Sequence, residues 1–103
     1  MATTKRPRCP THPGALLRED VLPALGISVS AFAAALKVSR QTVHGILAER
    51  HGVSPEMALR LGAYLGNGPQ LWLDMQAHYD LCIAERKLAG VLRGIVPGVA
   101  THI

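Results

Sequence analysis

Two helix starts lie so close together near the middle of this chain that they fix much of what it can fold into. Ser28 or Ser30, and then Ser39, offer hydroxyl oxygens that can cap the free N–H groups of a helix, and each precedes a helix-spaced apolar run. Phe32, Ala33 and Leu36 form the buried stripe of the first helix, residues 29–36; Val43, Ile46 and Leu47 form that of the second, residues 39–49. Lys37 and Val38 are all that remains for the turn. Two short helices joined this tightly have the spacing of a helix-turn-helix unit. Ala33 is small where the helices cross, and Val38 is apolar inside the turn. Lys37 stands where such a turn commonly carries Gly, which predicts a positive φ at a cost of roughly 1 kcal/mol.

The flanking sequence supplies three more helices. Pro13 and Gly14 open the first, with Leu16, Leu17, Val21 and Leu22 inward and Arg18, Glu19 and Asp20 toward water, ended by Pro23 and Gly26. Ser54 followed by Pro55 starts a fourth helix to about Leu65, with Met57, Leu61 and Leu65 on one face. Gly66, Asn67 and Gly68 make a turn, and Pro69 begins a longer fifth helix to about Leu88. The apolar fraction is 49% with only 4% aromatic residues, so Leu and Ala dominate, and both favour helix over strand. The reading is an all-α, five-helix domain with an extended fifth helix. Residues 1–12 are expected to be a flexible basic arm, residues 13–90 the domain and residues 91–103 an irregular tail.

The 103 residues carry a net charge of +4 and a pI near 9.6, a balance that suits an anionic partner. Lys5, Arg6 and Arg8 give the arm three cations and no acid, and Lys37, Arg40 and Arg50 oppose only Glu49 in the central segment. The fifth helix is slightly acidic, with Asp74, Asp80 and Glu85 against Arg86 and Lys87. Nucleic acid is therefore expected to meet the front half of the chain. Cys9 and Cys82 have no metal-ligand spacing and are read as two reduced thiols of a cytoplasmic protein. Cys9 with His12 lacks the further ligands of a zinc site, so neither metal nor cofactor is implied. His12, His44, His51, His78 and His102 are scattered without a nucleophile or metal spacing, which argues against an enzyme. Four aromatics in the chain offer no stacking platform for single-stranded RNA. No segment approaches the ~20 apolar residues of a membrane span.

The candidate DNA-binding residues follow from the third helix. With Val43 and Ile46 turned to the core, Arg40, Gln41 and His44 occupy the free side and Thr42 its rim. Arg, Gln and Thr are residue types that hydrogen-bond base edges in a major groove. Ser39 at the helix start, with Lys37 and Arg50 beside the motif, suits phosphates. The fifth helix carries two apolar stripes at 100° per residue. Trp72, Met75, Tyr79, Cys82 and Ile83 are expected to pack on the chain's own domain. Leu73, Ala77, Leu81, Ala84 and Leu88 are expected to meet a second copy or a partner. The alternative is that Val91, Leu92, Ile95 and Val96 of the tail fold back over this second stripe.

Several motifs in order resemble HigA-type addiction-module antidote proteins of the phage-repressor-like (Xre/Cro) helix-turn-helix group. They are His12-Pro13-Gly14, Leu17-Arg18-Glu19, Leu25-Gly26-Ile27-Ser28, Val38-Ser39-Arg40-Gln41, the run from Val53 through Ser54-Pro55-Glu56 to Leu61, Trp72-Leu73 and Tyr79-Asp80-Leu81. The resemblance spans about residues 6–88. It implies an antitoxin that represses its own promoter as a homodimer on a palindromic operator, and a HigB-type toxin partner, a RelE-like ribonuclease that cuts mRNA. The competing reading is a stand-alone transcriptional regulator with the same DNA chemistry and no toxin.

Overall fold

The computed structural model describes residues 8–99. Lys5 and Arg6 of the expected arm, and the last four residues of the expected tail, lie outside the described residues. Among those described there are five helices and no strand. We label them α1 (Pro13–Leu25), α2 (Val29–Leu36), α3 (Arg40–Leu47), α4 (Pro55–Leu65) and α5 (Gln70–Arg93).

Local chemistry accounts for most of the helix boundaries. Ser28, Ser39 and Ser54 each accept a hydrogen bond from the backbone N–H three residues on, at 3.1, 3.0 and 3.1 Å. Gly26 and Gly66 end α1 and α4 in the left-handed conformation, at φ 66° and 79°. α1 is continuous through Pro23, where the sequence suggested a stop. Its segment Leu17–Val21 is a π-turn, in which Leu22 N–H bonds back to the Leu17 carbonyl. The wider turn relieves the crowding that Pro23 would otherwise impose on the preceding carbonyls.

The core is a single cluster drawn from all five helices, with Leu17, Phe32, Leu36, Val43, Ile46, Ala58, Leu61 and Trp72 buried. α1 lies so close on α3 that a side chain at Gly14 would collide with the Ile46 carbonyl. α2 packs on α3 and α4, and α4 on α5. Gln76 is a polar residue on α5, and such side chains ordinarily stay in water. It is instead 7% exposed, because its Oε1 accepts the otherwise unsatisfied Val53 N–H (2.8 Å) and its Nε2 donates to Asp80 (2.9 Å).

The chain ends depart most from the sequence reading. Cys9 and Cys82 form a disulfide across 73 residues with Cα atoms 5.7 Å apart, which corrects the reading of two reduced thiols. Sequence spacing said nothing of their proximity, because α1 and α5 approach only in the folded domain. The described end of the arm, residues 8–12, is consequently anchored. His12 is buried, its Nδ1 accepts the Gly14 N–H (2.8 Å), and its ring meets Tyr79 edge-on at 4.8 Å. α5 passes Leu88 and Gly90 and ends at Arg93, capped by Gly94. One interior Gly costs a helix only about 1 kcal/mol against Ala, too little to end a run continued by Val91 and Leu92. The described part of the tail, residues 91–99, does not fold back: Val91, Leu92, Ile95 and Val96 are all exposed.

Candidate nucleic-acid interface

The turn between α2 and α3 is a Schellman motif. Lys37 adopts φ 60°, ψ 46°, its N–H reaches the Ala34 carbonyl, and Val38 N–H reaches the Ala33 carbonyl. The positive φ predicted for Lys37 is thus present, and the side chain is exposed. Arg60 of α4 adds a clamp: its guanidinium donates to the Leu36 carbonyl at 2.7 Å and the Lys37 carbonyl at 3.2 Å, while Glu56 pairs with it from 3.4 Å. A cation there meets the negative end of the α2 dipole, and this helps Lys rather than Gly to hold the left-handed position.

A second arginine does the same for α3. Arg18 of α1 donates to the Leu47 carbonyl at 2.5 Å and pairs with Glu49 at 3.2 Å and Glu19 at 2.8 Å. These partners raise the Arg18 pKa further above its ordinary value, the hydrogen bond to Glu19 first. Glu49 itself stands at φ 61°, and Arg50 and His51 both donate their N–H to the Gly45 carbonyl. Sequence reasoning assigned Arg18 to solvent and gave Arg60 no role. Only the packing of α1 and α4 brings those guanidiniums to the C-terminal ends of the two motif helices.

Held at both ends, α3 buries Val43, Gly45, Ile46 and Leu47 and exposes Arg40, Gln41 and His44. At 100° per residue the three exposed side chains fall within an arc of about 100°. Thr42 is half-buried, its hydroxyl 2.9 Å from that of Ser39, so both hydroxyls belong first to the cap. Arg40 makes a long contact to Ser30 (3.5 Å), and the side chains of Lys37, Ser39 and Arg50 are exposed. Of the second α5 stripe, Ala77, Leu81 and Leu88 are exposed and Ala84 is half-buried. Leu73 departs from the expectation, being partly buried against the chain's own core, because it sits where α5 still packs on α4.

A clamped α2–turn–α3 unit with a polar free face on its second helix defines a helix-turn-helix protein. No family model matches the chain. It is 45% identical over 75 residues to virulence-associated protein I of Dichelobacter nodosus, covering 73% of this chain and 69% of that protein. The Pseudomonas aeruginosa antitoxin HigA, solved with the higBA promoter, is 37% identical with a TM-score of 0.82, covering 88% and 99%. The antitoxin GraA in complex with its operator is 40% identical with a TM-score of 0.83, covering 96% and 100%. The chain belongs to the HigA-type antitoxin family of Xre/Cro-like helix-turn-helix proteins.

Proposed function

We propose that this chain is the antitoxin of a toxin–antitoxin module: a cytoplasmic homodimer that binds a palindromic operator, represses its own promoter and neutralises a HigB-type, mRNA-cleaving toxin. The observation that carries the DNA reading is the exposed arc of Arg40, Gln41 and His44 on a helix fixed at both ends. Arg40 and Gln41 read base edges, with His44 between them on the same arc and Thr42 at its rim; Lys37, Ser39 and Arg50 hold phosphates. Solved relatives with their promoter or operator support this reading. The free stripe of Ala77, Leu81 and Leu88 supports assembly of two copies, and the toxin partner rests on family membership.

Operator binding by Arg40→Ala and Gln41→Ala tests the assignment. Each is expected to lose roughly 1–3 kcal/mol on the native promoter, with a smaller loss on unrelated DNA. Wild-type promoter affinity in both variants rejects the recognition assignment. Co-expression with the adjacent gene product should give a stable complex and relieve growth arrest. A neighbour that is harmless alone, or that never co-elutes, leaves a plain transcriptional regulator.

A further inference from the structure

The free face of α5 has a period of its own. Ala77, Leu81, Ala84, Leu88 and Val91 recur at alternating spacings of four and three residues, which is the period of a seam between two helices. In that frame Asp80 and Lys87 lie along one flank of the seam, and Leu71, His78, Glu85 and Leu92 along the other. All six flanking side chains are exposed. Among the described residues His78, Glu85 and Lys87 make no side-chain hydrogen bond or ion pair within the chain. Asp80 accepts a hydrogen bond from Gln76 alone.

We propose that α5 pairs with α5 of a second copy in antiparallel orientation, about a two-fold axis between Cys82 and Ile83, and that the flanking charges fix this register. The inference rests on the proposed homodimer and assigns its geometry. About that axis Leu81 faces Ala84 of the second copy and Leu88 faces its Ala77. Every layer then sets a large side chain against a small one, which lets the two helix axes come close. On one flank Asp80 meets Lys87 of the second copy. On the other, Glu85 meets its His78 and Leu71 meets its Leu92. Each contact occurs twice, as a two-fold interface requires. The competing arrangements are penalised, because they bring like charges together. Sliding the pair by one heptad sets Lys87 against Lys87 and Glu85 against Glu85, and sliding it the other way sets Asp80 against Asp80. A parallel pair sets Asp80 against Glu85 of the second copy, again twice. The antiparallel register also spaces the two bodies. Trp72 comes opposite Arg93 of the second copy, so the two buried Trp72 anchors stand about 30 Å apart along the helix axis. That is of the same order as the ~34 Å between half-sites one DNA turn apart.

The test uses the full chain, with self-association read by sedimentation and folding by melting. Lys87→Glu and Asp80→Lys should each weaken dimerisation roughly tenfold, since two attractive pairs become repulsive. Mixed in equal amounts, the two variants should form a heterodimer of near wild-type affinity, because each charge then meets its complement. That recovery also shows that neither substitution has unfolded the chain. Nitroxide labels at residue 93 of both copies should lie about 30 Å apart, against roughly 10 Å in a parallel pair. A stronger dimer from Asp80→Lys with no effect of Lys87→Glu would mean a parallel pair and overturn the proposal. Wild-type dimerisation in both variants would overturn it too. If Leu81→Lys then still gives folded monomers with weak operator binding, the proposed homodimer stands and only the register falls. A wild-type chain that stays monomeric, or that pairs only with the adjacent gene product, rejects the register and the homodimer together.

Discussion

The inner and outer halves of α5 are one unbroken helix of 24 residues in different surroundings. At the inner end Trp72 is 1% exposed with its indole N–H on Asn67 (3.3 Å), and Gln76 satisfies the Val53 N–H. At the outer end Leu81 is 58% exposed and Val91 61%. Leu and Val at helical spacing occur in both halves, so hydrophobicity alone does not separate them. What differs is the neighbouring element: α4 packs on the inner half, while Leu81, Leu88, Val91 and Leu92 toward the outer end are left exposed. A helix of this build is stabilised at one end by the body and leaves apolar surface at the other for a further surface.

Three substitutions or conditions sharpen that contrast. Trp72→Ala removes the largest fully buried side chain and should cost about 3–5 kcal/mol of unfolding free energy, read by denaturant titration. A loss under 1 kcal/mol would mean the inner half is not held by the core. Leu81→Lys should change the chain's own stability by only about 0.5 kcal/mol. Losing two Leu side chains from the join should weaken dimerisation by roughly 2–3 kcal/mol, about a hundredfold. Sedimentation and melting read together decide this: a folded monomer with weak operator binding supports the interface, whereas a persistent dimer or an unfolded chain rejects it.

The smallest effect lies at the boundary between the halves, where His12 meets Tyr79. Burial pushes the His12 pKa below its ordinary value, against the smaller opposing pull of Glu49 and Asp80. The neutral ring is the form that accepts the Gly14 N–H on Nδ1. The unfolded chain therefore binds the proton more readily, so this stability is present above the unfolded pKa near 6.5 and is lost as pH falls through the lower folded value. Melting from pH 7.5 to 5 should show a decline that His12→Gln reduces. An equal decline in the variant would place its cause elsewhere.

Much of the motif was legible because its determinants are local. Serine caps, the spacing of Val43 and Ile46, and the two-residue turn act within a few residues of one another, as does the left-handed Lys37. The exposed arc of Arg40, Gln41 and His44 follows from the same periodicity. Burial of Trp72 was also legible, because a large ring at helical spacing from Met75 and Tyr79 needs an apolar partner.

The clamps by Arg18 and Arg60, the burial of His12 and Gln76 and the pairing of Cys9 with Cys82 were not legible. Each joins residues far apart in sequence, and an isolated Arg, His or Cys carries the same local signal whether or not its partner exists. The length of α5 was underread for a related reason, since Gly90 is a weak local breaker outweighed by the residues around it. The sequence by itself determined the helices, their caps and the face that α3 turns outward, because backbone hydrogen bonding and periodicity depend on near neighbours. Which cations hold that helix in place, and where α5 stops being part of the body, only the tertiary structure decided, because desolvation and ion pairing depend on elements that meet only once the chain has packed.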